Sequence, residues 1–298
     1  MVWNGQHFLG LEDLSKEDIQ SLIQRASHFL EAGNRYEPNA PLTGKIIANL
    51  FMENSTRTRC SFTIATKRLG GDCIDLLGGT SSASKGETLV DTAMNLEAMG
   101  VAGIAVRCSE ECGPSDIASN VGIPVINAGS GTASHPTQAL LDAGTLLHHF
   151  GCNDLSGQHI AIVGDITHSR VARSNVIGLT KLGAKVTLVG PQELLPTDPV
   201  CETSTDFDAV LQEVSACMML RVQFERDAQV DEDYRDKFGL TEERFANFTG
   251  AVLHPGPINR GLEIDDCVAS CNSPQNKILS QVSFGVATRM AILEHLIG

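Results

Sequence analysis

Two doubly wound parallel-sheet domains of the α/β class, with the active site between them, are what this sequence predicts. Short apolar runs of strand length alternate with amphipathic stretches of helical spacing, and the alternation runs through both halves of the chain. The 298 residues leave room for two domains that each bury a core. Strands joined through helices pair in parallel and are covered on both faces, so they read as nearly continuous apolar runs.

The first element is a helix: Ser15-Lys16-Glu17-Asp18 resembles a capping box, and Ile19, Leu22, Ile23, Ala26, Phe29 and Leu30 follow at helical spacing to about Gly33. After a loop around Pro38 to Pro41, Ile46 to Met52 reads as a buried strand. A helix containing Phe62, Ile64, Ala65 and Leu69 ends near Gly70-Gly71, and Cys73 to Leu77 is a second strand. Gly78 to Gly86, rich in glycine and small polar residues, reads as a mobile loop. A helix over 87–99, a strand over 103–107, a helical segment near 114–120 and a strand over 124–128 complete the first alternating unit. A helix that includes Gln138 to Ala143 leads to the second, with a strand over 159–163, a helix over 169–182 and strands over 185–189, 216–220 and 251–253. The join lies near residues 130–150, and the last helix, Ile278 to Ile297, is expected to pack back on the first domain.

Thirty-six acidic against 22 basic residues give a net charge of −14, which argues against nucleic acid or an anionic membrane as a partner, because both reward a basic surface. An anionic ligand must then be met by locally concentrated bases. Met1 to Gly10 has neither the basic segment nor the apolar run of a signal peptide, and no run of roughly 18 apolar residues occurs, so a cytoplasmic location is expected. Nine scattered cysteines suit reduced thiols better than a disulfide framework. The pairs Cys108/Cys112 and Cys267/Cys271 have one residue more between them than a zinc knuckle and no histidine close by, so neither a metal nor a cofactor is expected.

In open α/β sheets ligands bind beyond the carboxyl ends of the strands, which makes the residues just after each strand the candidates for chemistry. Ser55-Thr56-Arg57-Thr58-Arg59 stands at the first strand-to-helix turn. Free helix-start amides, three hydroxyls and two guanidiniums there suit a phosphate. A capping serine with solvated arginines is the competing reading, and five such residues in succession favour a site. Arg107 follows the third strand. Asn127-Ala128-Gly129-Ser130-Gly131 then leads to His135-Pro136-Thr137-Gln138, where a neutral histidine at a helix start can donate to a carbonyl oxygen. In the second unit Gly164-Asp165 with Arg170, and Arg221-Val222-Gln223, place arginines and an amide where a dicarboxylate could be held, with a surface salt-bridge face as the alternative. His254-Pro255-Gly256-Pro257-Ile258-Asn259-Arg260-Gly261 is either a rigid turn offering backbone carbonyls to an amine or only a stiff loop.

These segments, together with Ser81 and Lys85-Gly86-Glu87-Thr88, resemble the aspartate/ornithine carbamoyltransferase family over nearly the whole chain. The resemblance implies a carbamoyl-phosphate-binding domain over 1–135, with the terminal helix at 280–298 packed on it, and an aspartate-binding domain over 136–279. It implies that Ser55, Thr56, Arg57, Thr58 and Arg107 bind the phosphate and that Thr58, Arg107 and His135 touch the carbamoyl oxygen. Gln138 would meet the carbamoyl amide, and Arg57, Thr58, Arg107 and His135 would carry catalysis. Arg170, Arg221 and Gln223 would hold aspartate, with the carbonyls of Pro255 and Gly256 near its amine. Ser81 and Lys85 would reach the site of a neighbouring subunit, Lys85 serving both substrates, which makes the working unit a homotrimer. Glu53 resembles a residue that ties the domains together on closure. A dihydroorotase or regulatory chains are the further partners the family suggests, and pyrimidine synthesis the pathway. An ornithine acceptor would call for an acidic residue where Arg221-Val222-Gln223 stands and for a Ser-Met-Gly motif that is missing, so the resemblance favours the aspartate branch. A silent, scaffolding relative would be expected to have lost the anion turn or the lysine loop, and this chain keeps both.

Overall fold

The computed structural model describes residues 5–33, 37–78, 87–226 and 228–298; Ser81 and Lys85 lie outside them. The chain forms two compact units, Met1–Gly144 with Ser283–Gly298, and Thr145–Val282.

In the first unit α1 (Lys16–Glu31) precedes β1 (Ile46–Phe51), α2 (Thr56–Arg68), β2 (Asp72–Leu77), α3 (Leu89–Ala98), β3 (Gly103–Cys108), α4 (Gly113–Ala118), β4 (Val125–Ser130) and α5 (Pro136–Phe150), whose last turns belong to the second unit. The strands form one sheet in the order β2-β1-β3-β4, parallel throughout. The chain thus winds outward from β1 to β2, then returns and winds the other way through β3 and β4. The inner strands are buried almost end to end and their side chains join a core with Leu96, Ile117 and Val121, whereas the edge strand β2 stays partly exposed. Ser15 and Asp18 form a full capping box at α1, and Thr88 and Asp91 another at α3, so these helices start where side-chain oxygens replace the missing backbone acceptors. β4 runs to Ser130, two residues beyond the strand expected from sequence. Asn127 ties that extension down by accepting from Gly129 N at 2.8 Å while its amide reaches Leu9 O at 2.9 Å.

The second unit contains β5 (His159–Val163), α6 (Arg170–Lys181), β6 (Lys185–Val189), β7 (Glu202–Ser204), α7 (Phe207–Leu211), β8 (Ala216–Met219), α8 (Tyr234–Phe238), α9 (Glu242–Asn247), β9 (Ala251–Leu253) and α10 (Asp266–Ser270). The chain ends in α11 (Ile278–Ile297), which carries it back to the first unit. The sheet order is β7-β6-β5-β8-β9, again parallel, with the winding reversing between β5 and β8. Its core gathers Val163, Met219, Val222, Tyr234, Phe248 and Val252.

The units divide after Gly144 and after Val282, where the sequence suggested 135 and 279. The first turns of α5 stay with the first unit for a packing reason: a side chain at Gly144 would meet the Phe284 ring at 2.3 Å, so only hydrogen fits between α5 and α11. All nine cysteines are free thiols. Among the described residues no helix is long and apolar enough to cross a membrane.

Candidate active site

Each sheet reverses its winding between two inner strands, and there the loops that follow adjacent strands part and leave a crevice at the carboxyl edge. In the first unit the reversal falls between β1 and β3. Ser55 is the N-cap of α2 and makes no capping bond with its side chain, unlike Ser15 at α1, so the reading of Ser55 as a plain helix cap is not the arrangement found. Thr56 and Arg57 are exposed in the first turn and Thr58 is buried beside them. Arg107 pairs in register with Phe51 one strand away, which brings its guanidinium to the same edge. Its Nε lies 3.2 Å from Glu53 Oε2, so in this structure Glu53 secures the Arg107 guanidinium within its own unit. Arg59 departs from the rest of the motif and turns to Asp75 on β2 at 3.5 Å.

The end of β4 is closed by a tight loop. Ser130 N donates to Ser134 O at 2.9 Å, which returns the chain to the edge and sets buried His135 at the start of α5. Its carbonyl accepts from Gln138 N at 3.0 Å and Ala139 N at 3.2 Å, anchoring the first turn. Gln138 donates from Nε2 to Oδ1 of fully buried Asp142 at 2.8 Å. Beneath this turn Arg289 of α11 donates to Thr137 Oγ1 at 3.2 Å and to Gly285 O at 2.9 Å, with its guanidinium 5.2 Å from the centre of the Phe62 ring. Burial pushes the Arg289 guanidinium down to about 9; the Asp142 carboxylate works against that fall and the Arg107 cation adds to it. Asp142 and Arg289 were not singled out from sequence. The signal available was a charged residue on an otherwise apolar helix face, in Leu140-Leu141-Asp142-Ala143 and in Val286-Ala287-Thr288-Arg289-Met290.

In the second unit the reversal lies between β5 and β8, and β9 flanks β8. Gly164 closes β5 at a φ of 125°, and any side chain there would meet Leu220 O at 2.9 Å, so glycine lets the two strand ends approach. Buried Asp165 then organises both: Oδ1 lies 2.7 Å from His168 Nδ1 and Oδ2 accepts from Gln223 N at 3.2 Å. The Gln223 amide donates to His168 O at 2.9 Å. Arg170 sits buried at the first position of α6, with Ser169 as its N-cap. Arg221 is partly exposed and pairs with Glu225, Nη1 donating to Oε2 at 3.0 Å, and that contact holds the Glu225 carboxyl below its ordinary range. After β9, Gly256 N donates to His254 Nδ1 at 2.8 Å, His254 Nε2 faces Glu263 Oε1 at 3.3 Å, and Asn259 Nδ2 reaches Val222 O at 3.0 Å. Glu263, fully buried, was also not read from the sequence.

The structure thus brings Ser55, Thr56, Arg57, Thr58, Arg107, His135 and Gln138 to one sheet edge, and Arg170, Arg221, Gln223, Pro255 and Gly256 to another. A surface groove of the second unit is lined in part by Arg235 and Arg244, which are held by Asp265 and Asp208.

Helix starts and guanidiniums gathered at the reversal points of two doubly wound sheets define a two-domain α/β protein built to hold small anions. Residues 6–148 match the family model described as aspartate/ornithine carbamoyltransferase, carbamoyl-P binding domain, and residues 156–296 match its Asp/Orn binding domain. The chain belongs to the aspartate/ornithine carbamoyltransferase family. It is 45% identical over 303 residues to the aspartate carbamoyltransferase catalytic subunit of Opitutus terrae, covering 98% of this chain and 95% of that one. It also resembles the crystal structure of Trypanosoma cruzi aspartate transcarbamoylase in complex with aspartate and phosphate, with a TM-score of 0.86, 30% identity and coverage of 99% and 95%. Ornithine carbamoyltransferase from Thermus thermophilus gives the same TM-score of 0.86 at 26% identity, covering 99% of this chain and 100% of that one, so backbone shape alone does not choose the acceptor.

Proposed function

We infer that this chain transfers the carbamoyl group of carbamoyl phosphate to the α-amino group of L-aspartate, giving N-carbamoyl-L-aspartate and phosphate. The observation that carries the choice of acceptor is cationic: Arg170 and Arg221 stand at the ends of β5 and β8 with Gln223, where an ammonium side chain would be repelled and a carboxylate attracted. The Opitutus relative, called an aspartate carbamoyltransferase catalytic subunit, supports the same choice.

In this reading the turn Ser55 to Thr58 and Arg107 hold the phosphate, and Gln138 meets the carbamoyl NH₂. Arg170, Arg221 and Gln223 hold the two carboxylates of aspartate, and the carbonyls of Pro255 and Gly256 face its amine. The amine lone pair attacks the carbamoyl carbon and the C=O electrons move to oxygen. Thr58, Arg107 and His135 stabilise that oxyanion as donors. Collapse of the tetrahedral intermediate breaks the C–O bond to phosphate, and the departing phosphate accepts the amine proton. No covalent enzyme intermediate is needed.

The same reading includes a cytoplasmic homotrimer in which Ser81 and Lys85 serve a neighbouring copy, with regulatory chains or a dihydroorotase as further partners. Light scattering of the purified chain, alone and mixed with those proteins, tests the assembly. A colorimetric assay for carbamoyl aspartate, run with ornithine as the control acceptor, tests the chemistry. Product from aspartate and none from ornithine is expected; the reverse pattern, or no product from either, overturns the reading.

A further inference from the structure

We propose that Asp142 is a positioning residue that sets the donor specificity of the site, by fixing which end of the Gln138 amide faces the ligand. The proposal rests on the carbamoyl-transfer reading. Gln138 and Asp142 lie four residues apart on α5 and so share one face of the helix. An ionised carboxylate only accepts hydrogen bonds, so the amide must turn its NH₂ toward it, as the 2.8 Å contact from Nε2 to Oδ1 records. Turning the nitrogen inward turns Oε1 outward, away from Asp142.

The arrangement is braced from below. Arg289 and Asp142 support each other's charge within a buried layer, and Arg289 also grips Thr137, the residue next to Gln138. The turn that carries the amide therefore has little freedom to rotate, and a carboxylate at 142 leaves it one orientation. An outward carbonyl oxygen matches a group that donates. The carbamoyl NH₂ has two N–H bonds to offer, whereas the methyl of an acetyl phosphate has none and would leave the oxygen desolvated and unpaired. An asparagine at 142 could donate as well as accept, so the Gln138 amide could flip and the discrimination would fade.

The test compares two donors on the whole enzyme. Acetyl phosphate and inorganic phosphate are each titrated as inhibitors competing with carbamoyl phosphate at fixed aspartate, in the wild type and in Asp142→Asn. The expected result is that the preference for carbamoyl over acetyl phosphate falls by about tenfold or more, while inhibition by inorganic phosphate moves by less than about twofold, since the anion turn is untouched. A merely structural Asp142 would weaken all three ligands together. If Asp142→Asn does not accumulate in folded form, Asp142→Ser reads the same ratio, because its hydroxyl too can donate or accept. An active wild type whose ratio is unmoved by either substitution overturns the proposal alone. A wild type that makes no carbamoyl aspartate overturns the functional reading on which it stands.

Discussion

A guanidinium that stabilises an oxyanion does most when it is held in place before substrate arrives, and in the proposed mechanism Glu53, 3.2 Å from Arg107 with both side chains half-buried, would do this for Arg107. If Arg107 is that donor, Arg107→Ala removes it, so kcat should fall by about 10²–10³, or ~2.7–4 kcal/mol, with the unfolding midpoint little changed. Turnover assays beside a thermal melt check this, and unimpaired turnover would refute the role. Arg221 is held differently. Its two terminal nitrogens each give one proton to Glu225, and of five N–H bonds three remain for a ligand carboxylate. The pair is exposed, so it adds little stability, but it fixes the rotamer of a long side chain. Glu225→Ala should therefore raise the aspartate KM by about threefold, roughly 0.6 kcal/mol, and spare the carbamoyl phosphate KM. Because the Arg221 contact holds the Glu225 carboxyl below its ordinary range, the brace is present at neutral pH and is lost as pH falls into the acid range through that lowered pKa. A KM for aspartate that drops in the variant would show that Glu225 competes with the ligand instead of presenting Arg221 to it.

At the scale of elements, the loop after β9 depends on one carboxylate. Glu263 accepts from Asn259 N at 2.5 Å and faces His254 Nε2, and Asn259 in turn holds Val222 O, so the Pro255-Gly256 carbonyls and the Arg221-Gln223 strand end are joined through it. Glu263→Ala would leave buried donors unpaired, at a cost of about 3 kcal/mol, and should raise the aspartate KM while leaving that of carbamoyl phosphate unchanged. A denaturant midpoint and two saturation curves decide it; a stable variant with ordinary aspartate saturation would remove Glu263 from the account. Neither Glu263 nor Asp142 was singled out from the chain, because what each carboxylate holds, Asn259 N and His254 for Glu263 and the Gln138 amide for Asp142, shows only once the loop and helix are folded. The motif Ser55 to Thr58 was, since a strand end, hydroxyls and a helix start lie within a few residues of one another. Even so, Arg59 inside that motif goes to Asp75 for a reason visible only once β2 lies beside β1. Among the elements, the inner strands were legible as apolar runs. The edge strand β7, Glu-Thr-Ser and largely exposed, carries no hydrophobic pattern and was missed, as were the short helices α7 to α10.

For the whole molecule, the order in which the chain completes its parts has a consequence. The first unit includes Ser283–Gly298, which follows the entire second unit in the chain, so the part of its packing that α11 supplies comes last. Within that segment Phe284, Met290, Ile292 and Leu293 are no more than 1% exposed. Burial of four such side chains contributes about 6–12 kcal/mol, comparable with the 5–15 kcal/mol by which a whole domain is usually stable. Arg25 adds an ion pair to Glu294 at 2.6 Å and Arg289 its bond to Thr137, so the helix also ties α1 and α5 into place. Deleting residues 283–298 should therefore leave a chain that does not reach the soluble fraction. Because insolubility alone is a blunt result, Ile292→Ala gives the graded version. It should lower stability by about 2–5 kcal/mol through the cavity it opens, seen as a reduced denaturant midpoint, while the aspartate KM is expected to stay put because Arg170, Arg221 and Gln223 lie in the second unit. A truncated chain that melts cooperatively, or an Ile292→Ala variant as stable as the wild type, would mean that the first unit closes its core without the terminal helix.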